Sequence, residues 1–239
     1  MKLFLISAVL VLAVLCYVFY VWCTLSQAKK LTMSAVIYPT PYEQRPTNSS
    51  MRILVAGDST AVGVGADSKD SIAGRIGKDF PSADITNVGV SGLRLAGLKQ
   101  KLASRGEATY DLVVLQIGAN DITGRTSYAD IQKTLGEVLH MADGVGKKVI
   151  VLTAGNVGAA PAFKWPLSWY MTARTRIVRQ IFMTEVAKHP NATYIDLFEE
   201  AAEDTFSKDI KRYYAPDFFH PSGDGYGVWY TKLRLQLKF

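Results

Sequence analysis

The strongest constraint on the fold is a series of short apolar runs, each followed by a turn and then by a segment of helical character. Five runs occur, at residues 52–56, 85–88, 112–117, 149–152 and 194–197. Continuous apolar runs of this length are typical of strands that are buried on both faces. Because such strands alternate here with helices, the sequence predicts an α/β fold with a mainly parallel sheet covered on both sides.

The intervening helices are marked by caps and by apolar spacing. Ser127 and Asp130 form the start of a capping box, and apolar residues then recur at helical spacing, at Ile131, Leu135, Val138 and Leu139. Two further helices are predicted at residues 168–188 and 221–237.

An uncharged segment precedes this pattern. Residues 3–23 contain no charge and no proline, and as a helix they would span roughly 30 Å. The run ends in bulky aromatic residues rather than in the small residues of a signal-peptide cleavage site. We therefore expect an uncleaved transmembrane anchor at residues 1–23, and an N-terminal tail this short most simply stays inside. The chain is then a single-pass membrane protein whose folded domain is extracytoplasmic, either periplasmic or extracellular.

The rest of the chain divides into two parts. Residues 24–50 are polar, carry three prolines and show no sustained period, which favours an extended linker. The folded domain is predicted at residues 51–239. A chain of 239 residues has room for one such domain with an appendage.

Several classes of function are excluded by what this domain lacks. Cys16 and Cys23 both lie in the apolar segment, so the domain has no cysteine for a thiol nucleophile, and it has no histidine cluster for a metal. Gly63 and Gly65 lack the third glycine of a dinucleotide motif, and no phosphate loop follows them. The net charge of +6 is dispersed without a nucleic-acid-binding motif, so no nucleic-acid partner is expected.

Polar motifs follow the first three predicted strands, where parallel sheets gather their ligands. They are GDST at residues 57–60, NVGVSG at 87–92 and GAND at 118–121, and DFFHP at 217–221 precedes the last helix. Acyl transfer needs a hydroxyl nucleophile, a base, a group that orients the base, and donors for the oxyanion. Ser59 and His220 can be nucleophile and base, and Asp217 can orient His220. The Ser59 and Gly89 backbone N–H groups and the Asn120 amide can donate to the oxyanion.

These four blocks, in this order, resemble the SGNH hydrolases, also called GDSL esterases and lipases. The resemblance covers about residues 52–236. It implies a flavodoxin-like three-layer α/β/α sandwich with a five-stranded sheet, and it implies chemistry without a metal or a cofactor. It also implies that Ser59, Gly89 and Asn120 lie at the oxyanion site and that Asp217 and His220 complete the triad.

Other acids and histidines compete for these roles. Asp58, Asp121 and Asp196 are rival partners for His220, although Asp58 and Asp121 are better placed to hold loops. His140 lies inside a predicted helix and His189 at a helix end, so both are interpreted as structural.

The sequence thus predicts a membrane-anchored serine ester hydrolase that acts through an acyl-Ser59 intermediate. Its substrates would be lipid-like acyl esters or O-acetyl groups of a glycan. An acyltransferase or thioesterase could use the same triad, and a membrane-tethered binding module could keep the fold without activity. The aromatic segment at residues 162–170 is either a lid or membrane-contacting edge, or a loop packed on a helix.

Overall fold

The chain forms a five-stranded parallel sheet with helices on both faces. The structure, a computed structural model, describes residues 2–34, 36–104, 109–200 and 202–237. Every neighbouring pair of strands is parallel, and the strand order is β2-β1-β3-β4-β5. The strands are β1 Met51–Gly57, β2 Ala83–Asn87, β3 Leu112–Gln116, β4 Val149–Leu152 and β5 Ala192–Ile195. Each overlaps one predicted run, so the predicted α/β fold with its parallel sheet is confirmed.

Ten α-helices are found among the described residues. They are α1 Lys2–Ser34, α2 Ser59–Val62, α3 Ile72–Asp79, α4 Leu95–Ala103, α5 Ala119–Thr123, α6 Tyr128–Val145, α7 Leu167–Val186, α8 Thr205–Lys208, α9 Ile210–Tyr213 and α10 Gly223–Arg234. The predicted cap of α6 is confirmed, because Ser127 Oγ accepts a hydrogen bond from the Asp130 backbone N–H at 3.1 Å. The other two predicted helices correspond to α7 and α10.

Two apolar cores lie on opposite faces of the sheet. Alternate residues of β1 enter different cores, as the twofold period of a strand requires. Ile53 and Val55 pack in the core that contains side chains of α3 and α10. Leu54 and Ala56 pack in the core that contains side chains of α4, α6 and α7. Helices therefore cover both faces, and neither face of the central strands is left to solvent.

The strand order reverses beside β1. The chain runs from β1 to β2 on one side and then returns to form β3 on the other side of β1. In open parallel sheets such a reversal leaves a crevice beyond the carboxyl ends of the two strands. The turn from β1 into α2, which carries Ser59, lies at this point.

The N-terminal segment differs from its prediction. Residues Lys2–Ser34 form a single helix, α1, which continues past the apolar run through Gln27, Lys29 and Lys30. Within the described ranges, no helix has both the length and the apolar character needed to cross a membrane. The transmembrane anchor predicted at residues 1–23 is therefore not supported.

Much of residues 24–50, the segment predicted as an extended linker, is instead helical or paired with the domain. Residues up to Ser34 belong to α1, and later residues contact the domain. Gln44 forms an antiparallel bridge with Ile85 of β2, with N···O distances of 3.1 and 2.9 Å, and the Gly65 N–H donates to the Ile37 carbonyl at 2.9 Å. The physical reason is that β2 is an edge strand, whose free backbone groups are partly paired by this segment.

Gly57→Ala should destabilise the fold more than Gly92→Ala. Both glycines have positive φ, 150° and 80°, so alanine at either position is strained by about 1 to 2 kcal/mol. At Gly57 the new Cβ would also lie 1.8 Å from the Gln116 carbonyl oxygen, whereas at Gly92 nothing lies within 4 Å. Chemical unfolding of both variants should show a loss at Gly57 that is larger by about 2 kcal/mol or more. Equal losses would mean that the junction of β1 and β3 relaxes freely.

Candidate active site

Ser59 is held at the first position of α2 by the turn that leaves β1. The Asp58 N–H donates to the Gln116 carbonyl at 2.8 Å. Asp58 Oδ1 then caps the helix by accepting from the Thr60 N–H at 2.9 Å and from the Thr60 hydroxyl at 2.8 Å. Because the backbone is fixed on both sides of Ser59, its hydroxyl has a defined direction at the crevice.

His220 reaches Ser59 from the loop before α10. Its Nε2 lies 2.9 Å from Ser59 Oγ, although the two residues are far apart in sequence. Gly65 allows this approach, because a Cβ at Gly65 would lie 2.3 Å from the Pro221 carbonyl oxygen and 3.2 Å from the His220 Cβ. The structure therefore brings the predicted nucleophile and base within hydrogen-bond distance.

Asp217 lies behind His220 and is fully enclosed. Its Oδ2 is 2.5 Å from His220 Nδ1, and its Oδ1 accepts from the Phe219 and His220 backbone N–H groups, each at 2.9 Å. Burial raises the pKa of Asp217. The His220 ring and the two backbone donors together lower it by more than burial raises it, so the pKa of Asp217 lies below its ordinary value. Asp217 is therefore a carboxylate at neutral pH and can hold the proton of His220 on Nδ1.

The predicted oxyanion donors differ in whether their N–H groups are already hydrogen-bonded within the protein. The Asn120 amide donates one N–H to the Leu93 carbonyl at 3.0 Å, and its second N–H has no acceptor among the described residues. The Gly89 N–H, in contrast, already donates to Asn87 Oδ1 at 3.0 Å. An oxyanion would have to share the Gly89 N–H with Asn87 or displace the Asn87 side chain from it. The sequence did not indicate this hydrogen bond.

Gly89 nevertheless lies directly against the nucleophile's helix. A Cβ at this position would be 2.9 Å from the Val62 nitrogen, so only glycine allows β2's exit loop to approach α2 so closely. Asn87 stabilises this contact between the loop after β2 and α2, because its Nδ2 donates to the Ala61 carbonyl at 2.8 Å.

The rival acids all have other partners. Asp121 accepts from the Leu95 N–H at 3.0 Å and from the Thr126 hydroxyl at 2.9 Å, so it ties α4 to the loop after α5. Asp196 pairs with the Arg179 guanidinium through both oxygens, and Asp58 caps α2.

The other two histidines lie elsewhere in the fold. His189 Nδ1 is 2.5 Å from Asp143 Oδ2, and His140 is exposed on α6. No group of three or more His, Cys, Asp or Glu side chains within the described ranges is arranged to hold a metal ion.

A pocket opens beside Ser59 and His220, and the sequence reasoning did not identify its walls. It has about 670 Å³ of space between protein atoms, part of it open to solvent. Asn156 and Glu199 line it just after β4 and β5, so the rule that ligands gather at strand ends could have found them. The residues from α8 and α10, such as Phe206 and Trp229, carry no motif that marks them.

A family comparison agrees with this geometry. The model of the GDSL-like lipase/acylhydrolase family matches residues 55–228, which include Ser59, Gly89, Asn120, Asp217 and His220. The chain belongs to the GDSL-like lipase/acylhydrolase family. The predicted resemblance to the GDSL esterases is thereby confirmed.

A relative of this GDSL-family chain is named as an esterase. A GDSL-like esterase of Mycobacterium tuberculosis is 25% identical over 210 residues, which are 84% of this chain and 66% of that protein. The chain thus spans somewhat less than two thirds of that relative's length.

Two solved structures show the same fold. A lipolytic G-D-S-L family protein from Veillonella parvula is 20% identical with a TM-score of 0.62, covering 79% of this chain and 98% of that one. A variant of the acetyl xylan esterase Axe2 from Geobacillus stearothermophilus is 20% identical with a TM-score of 0.56, covering 80% and 96%. At this identity the likeness establishes the fold of the GDSL-family domain.

Asp58→Asn should change how stability depends on pH. Burial raises the pKa of Asp58 to about 6, against smaller lowering effects from the Thr60 hydrogen bonds and from His220. An acid with a raised folded-state pKa stabilises the fold below its unfolded pKa, and that stabilisation is lost as the pH rises through about 6. Asparagine does not titrate, so the variant does not lose this stabilisation as the pH rises. The unfolding free energy of the variant minus that of the native chain should therefore be about 2 kcal/mol larger at pH 7 than at pH 4. A difference that stays constant with pH would contradict the raised pKa.

Proposed function

We propose that the chain is a serine ester hydrolase that works through an acyl-Ser59 intermediate. The observation that carries the proposal is the continuous relay from Ser59 Oγ to His220 Nε2, at 2.9 Å, and from His220 Nδ1 to Asp217 Oδ2, at 2.5 Å. A hydroxyl, an imidazole and a carboxylate in this order are the parts that acyl transfer requires.

The first half-reaction forms the acyl-enzyme. Asp217 keeps the His220 proton on Nδ1, so Nε2 is free to accept the Ser59 proton as Oγ attacks the ester carbonyl. The negative charge that develops on the carbonyl oxygen is stabilised by the Asn120 amide and by backbone N–H groups. When the tetrahedral intermediate collapses, the C–O bond to the alcohol breaks and the alcohol takes the proton from Nε2.

The second half-reaction uses the same groups on water. His220 Nε2 accepts a proton from water as the water oxygen attacks the acyl carbonyl. Collapse of this second intermediate breaks the bond to Ser59 Oγ, which recovers its proton from Nε2, and a carboxylic acid is released.

The substrate classes are those expected from the sequence, lipid-like acyl esters or the O-acetyl groups of a glycan. The fold shared with an acetyl xylan esterase supports the second class. A thioesterase or an acyltransferase would use the same acyl-enzyme with a different leaving group or acceptor. A binding module without activity has no need for the buried Asp217 carboxylate and the relay it orients.

The proposed site of action is outside the cytoplasm. It is supported by the apolar run itself and by the large apolar side chains that α1 exposes, among them Leu12 at 63% and Trp22 at 61%. Fractionation of the full chain tests this location: recovery in an extracytoplasmic fraction supports it, and recovery in the cytosol contradicts it.

Ser59→Ala should lower ester turnover by several orders of magnitude, because the variant has no nucleophile. Ser104→Ala is the matched control, since Ser104 is exposed at the end of α4. Initial rates with p-nitrophenyl acetate measure both variants, and circular dichroism checks that they are folded. Near-native turnover by Ser59→Ala would refute the proposed nucleophile.

Asn120→Ala should lower kcat by roughly 10² to 10³ with a small effect on KM, because the amide binds charge that exists only in the transition state. Asn191→Ala serves as control: Asn191 is exposed and precedes β5 at the opposite edge of the sheet. A loss confined to KM would instead indicate that Asn120 shapes the loop through Leu93.

A further inference from the structure

Arg174 of α7 is a buried cation whose hydrogen bonds go to backbone carbonyls. The residue is only 5% exposed. Its Nε donates to the Ile122 carbonyl at 2.9 Å, and its Nη2 donates to the Asp121 carbonyl at 3.2 Å and to the Thr126 carbonyl. The other two arginines of this stretch of α7 instead pair with carboxylates, Arg176 with Glu200 and Arg179 with Asp196. A buried charge is costly unless hydrogen bonds satisfy it, so the placement of Arg174 calls for an explanation.

The three carbonyls lie in the last turn of α5 and in the loop that follows it. The last carbonyls of a helix have no partner further along the same helix, and they need one when they are buried. The guanidinium is planar and presents its N–H donors in fixed directions, so a single side chain can bind several carbonyls at once. Arg174 therefore closes α5 at its C-terminal end.

Helix α7 also contacts the N-terminal end of α5. Gly118, which precedes α5, has φ of 124°, and a Cβ added there would lie 3.2 Å from Cζ of the Phe182 ring. Phe182 lies two turns after Arg174, and the fully buried Val178 lies between them on the same side of α7. One face of α7 thus holds both ends of α5.

Asn120 is the functional side chain that α5 carries. It is the second residue of this five-residue helix, and one N–H of its amide donates to the Leu93 carbonyl at 3.0 Å. A helix of five residues is not stable by itself, so its position depends on the contacts around it. Releasing the carbonyls at its end would let the helix fray and the amide move, and small displacements of a catalytic group are costly for the rate.

We propose that Arg174 is a positioning residue for the oxyanion site: by binding the carbonyls at the end of α5, it holds the Asn120 amide where the oxyanion forms. The inference rests on the proposed function, because it assumes that Asn120 stabilises the oxyanion of ester hydrolysis. Arg174 acts through α5, since its own donors are committed to backbone carbonyls.

The first test is Arg174→Met, which keeps the length of the side chain and removes every donor. With p-nitrophenyl acetate, kcat should fall by about tenfold while KM changes by less than about twofold, because the displaced amide binds charge that exists only in the transition state. Arg176→Met is the matched control. It makes the same change on the same helix, but Arg176 is exposed and pairs with Glu200 at the surface, so kcat should stay at the native value.

The second test is a double-mutant cycle with Asn120→Ala, which a role in packing alone would not satisfy. Once the amide is removed, Arg174→Met has nothing left to position and should lower kcat by less than about twofold further. If Arg174 only supported the fold, its loss would lower kcat by the same factor with and without Asn120. Equal factors in the two backgrounds would overturn the inference.

Arg174→Lys covers the case in which circular dichroism shows that Arg174→Met does not fold. Lysine keeps the charge, but its single ammonium group cannot reproduce the fixed fork that binds several carbonyls. The Lys variant should therefore lose about threefold in kcat when Asn120 is present and nothing more when Asn120 is replaced by Ala. A native kcat, or equal losses in both backgrounds, would again overturn the inference.

The outcomes separate this inference from the proposed function. If the native chain hydrolyses the ester through Ser59 but the Arg174 variants keep the native kcat, the positioning role is wrong and the hydrolase stands. If Asn120→Ala leaves kcat unchanged, Asn120 does not serve the oxyanion, and the inference about Arg174 fails with it. If the native chain hydrolyses no ester at all, the proposed function itself fails.

Discussion

The site depends on the sharp exit of the chain from β1. Gly57 ends the strand with φ of 150° and lies so close to the Gln116 carbonyl that no side chain fits, and Asp58 then hydrogen-bonds to the same carbonyl. This contact fixes the end of β1 against the end of β3. Because Ser59 begins the next helix, its hydroxyl is placed where the strand order reverses, and the loops after β2 and β3 necessarily converge on it.

Electrostatics complete the site from the other end of the chain. A buried carboxylate is costly unless hydrogen bonds satisfy it. Asp217 meets this requirement with two backbone N–H groups and the His220 ring. The loop is closed by an antiparallel bridge between Tyr214 and Pro221 and by the Ala215 N–H, which donates to the His220 carbonyl at 2.8 Å. The same hydrogen bonds that stabilise the Asp217 charge therefore also hold His220 in position for Ser59.

The sequence predicted the sheet, and it singled out the Ser59, His220 and Asp217 side chains that the structure brings within hydrogen-bond distance, because both depend on local signals. Uninterrupted apolar runs marked each strand, and the polar residues directly after β1 and β3 marked Ser59 and Asn120. It predicted less where structure depends on contacts between distant residues. The pairing of Gln44 with Ile85 and the hydrogen bond from Gly89 to Asn87 leave no periodic pattern, and the pocket walls at Phe206 and Trp229 resemble ordinary core. The apolar run at residues 3–23 predicted a membrane-spanning helix, which the described structure does not support.

The central claim is that Ser59 carries the acyl group during turnover. Rapid acid quenching of the enzyme with p-nitrophenyl hexanoate, followed by mass spectrometry of the proteolysed chain, measures this directly. The account predicts a hexanoyl mass increase on the peptide that contains Ser59, present in the native chain and absent from His220→Ala. Turnover with no adduct on Ser59, or an adduct confined to another residue, would contradict it.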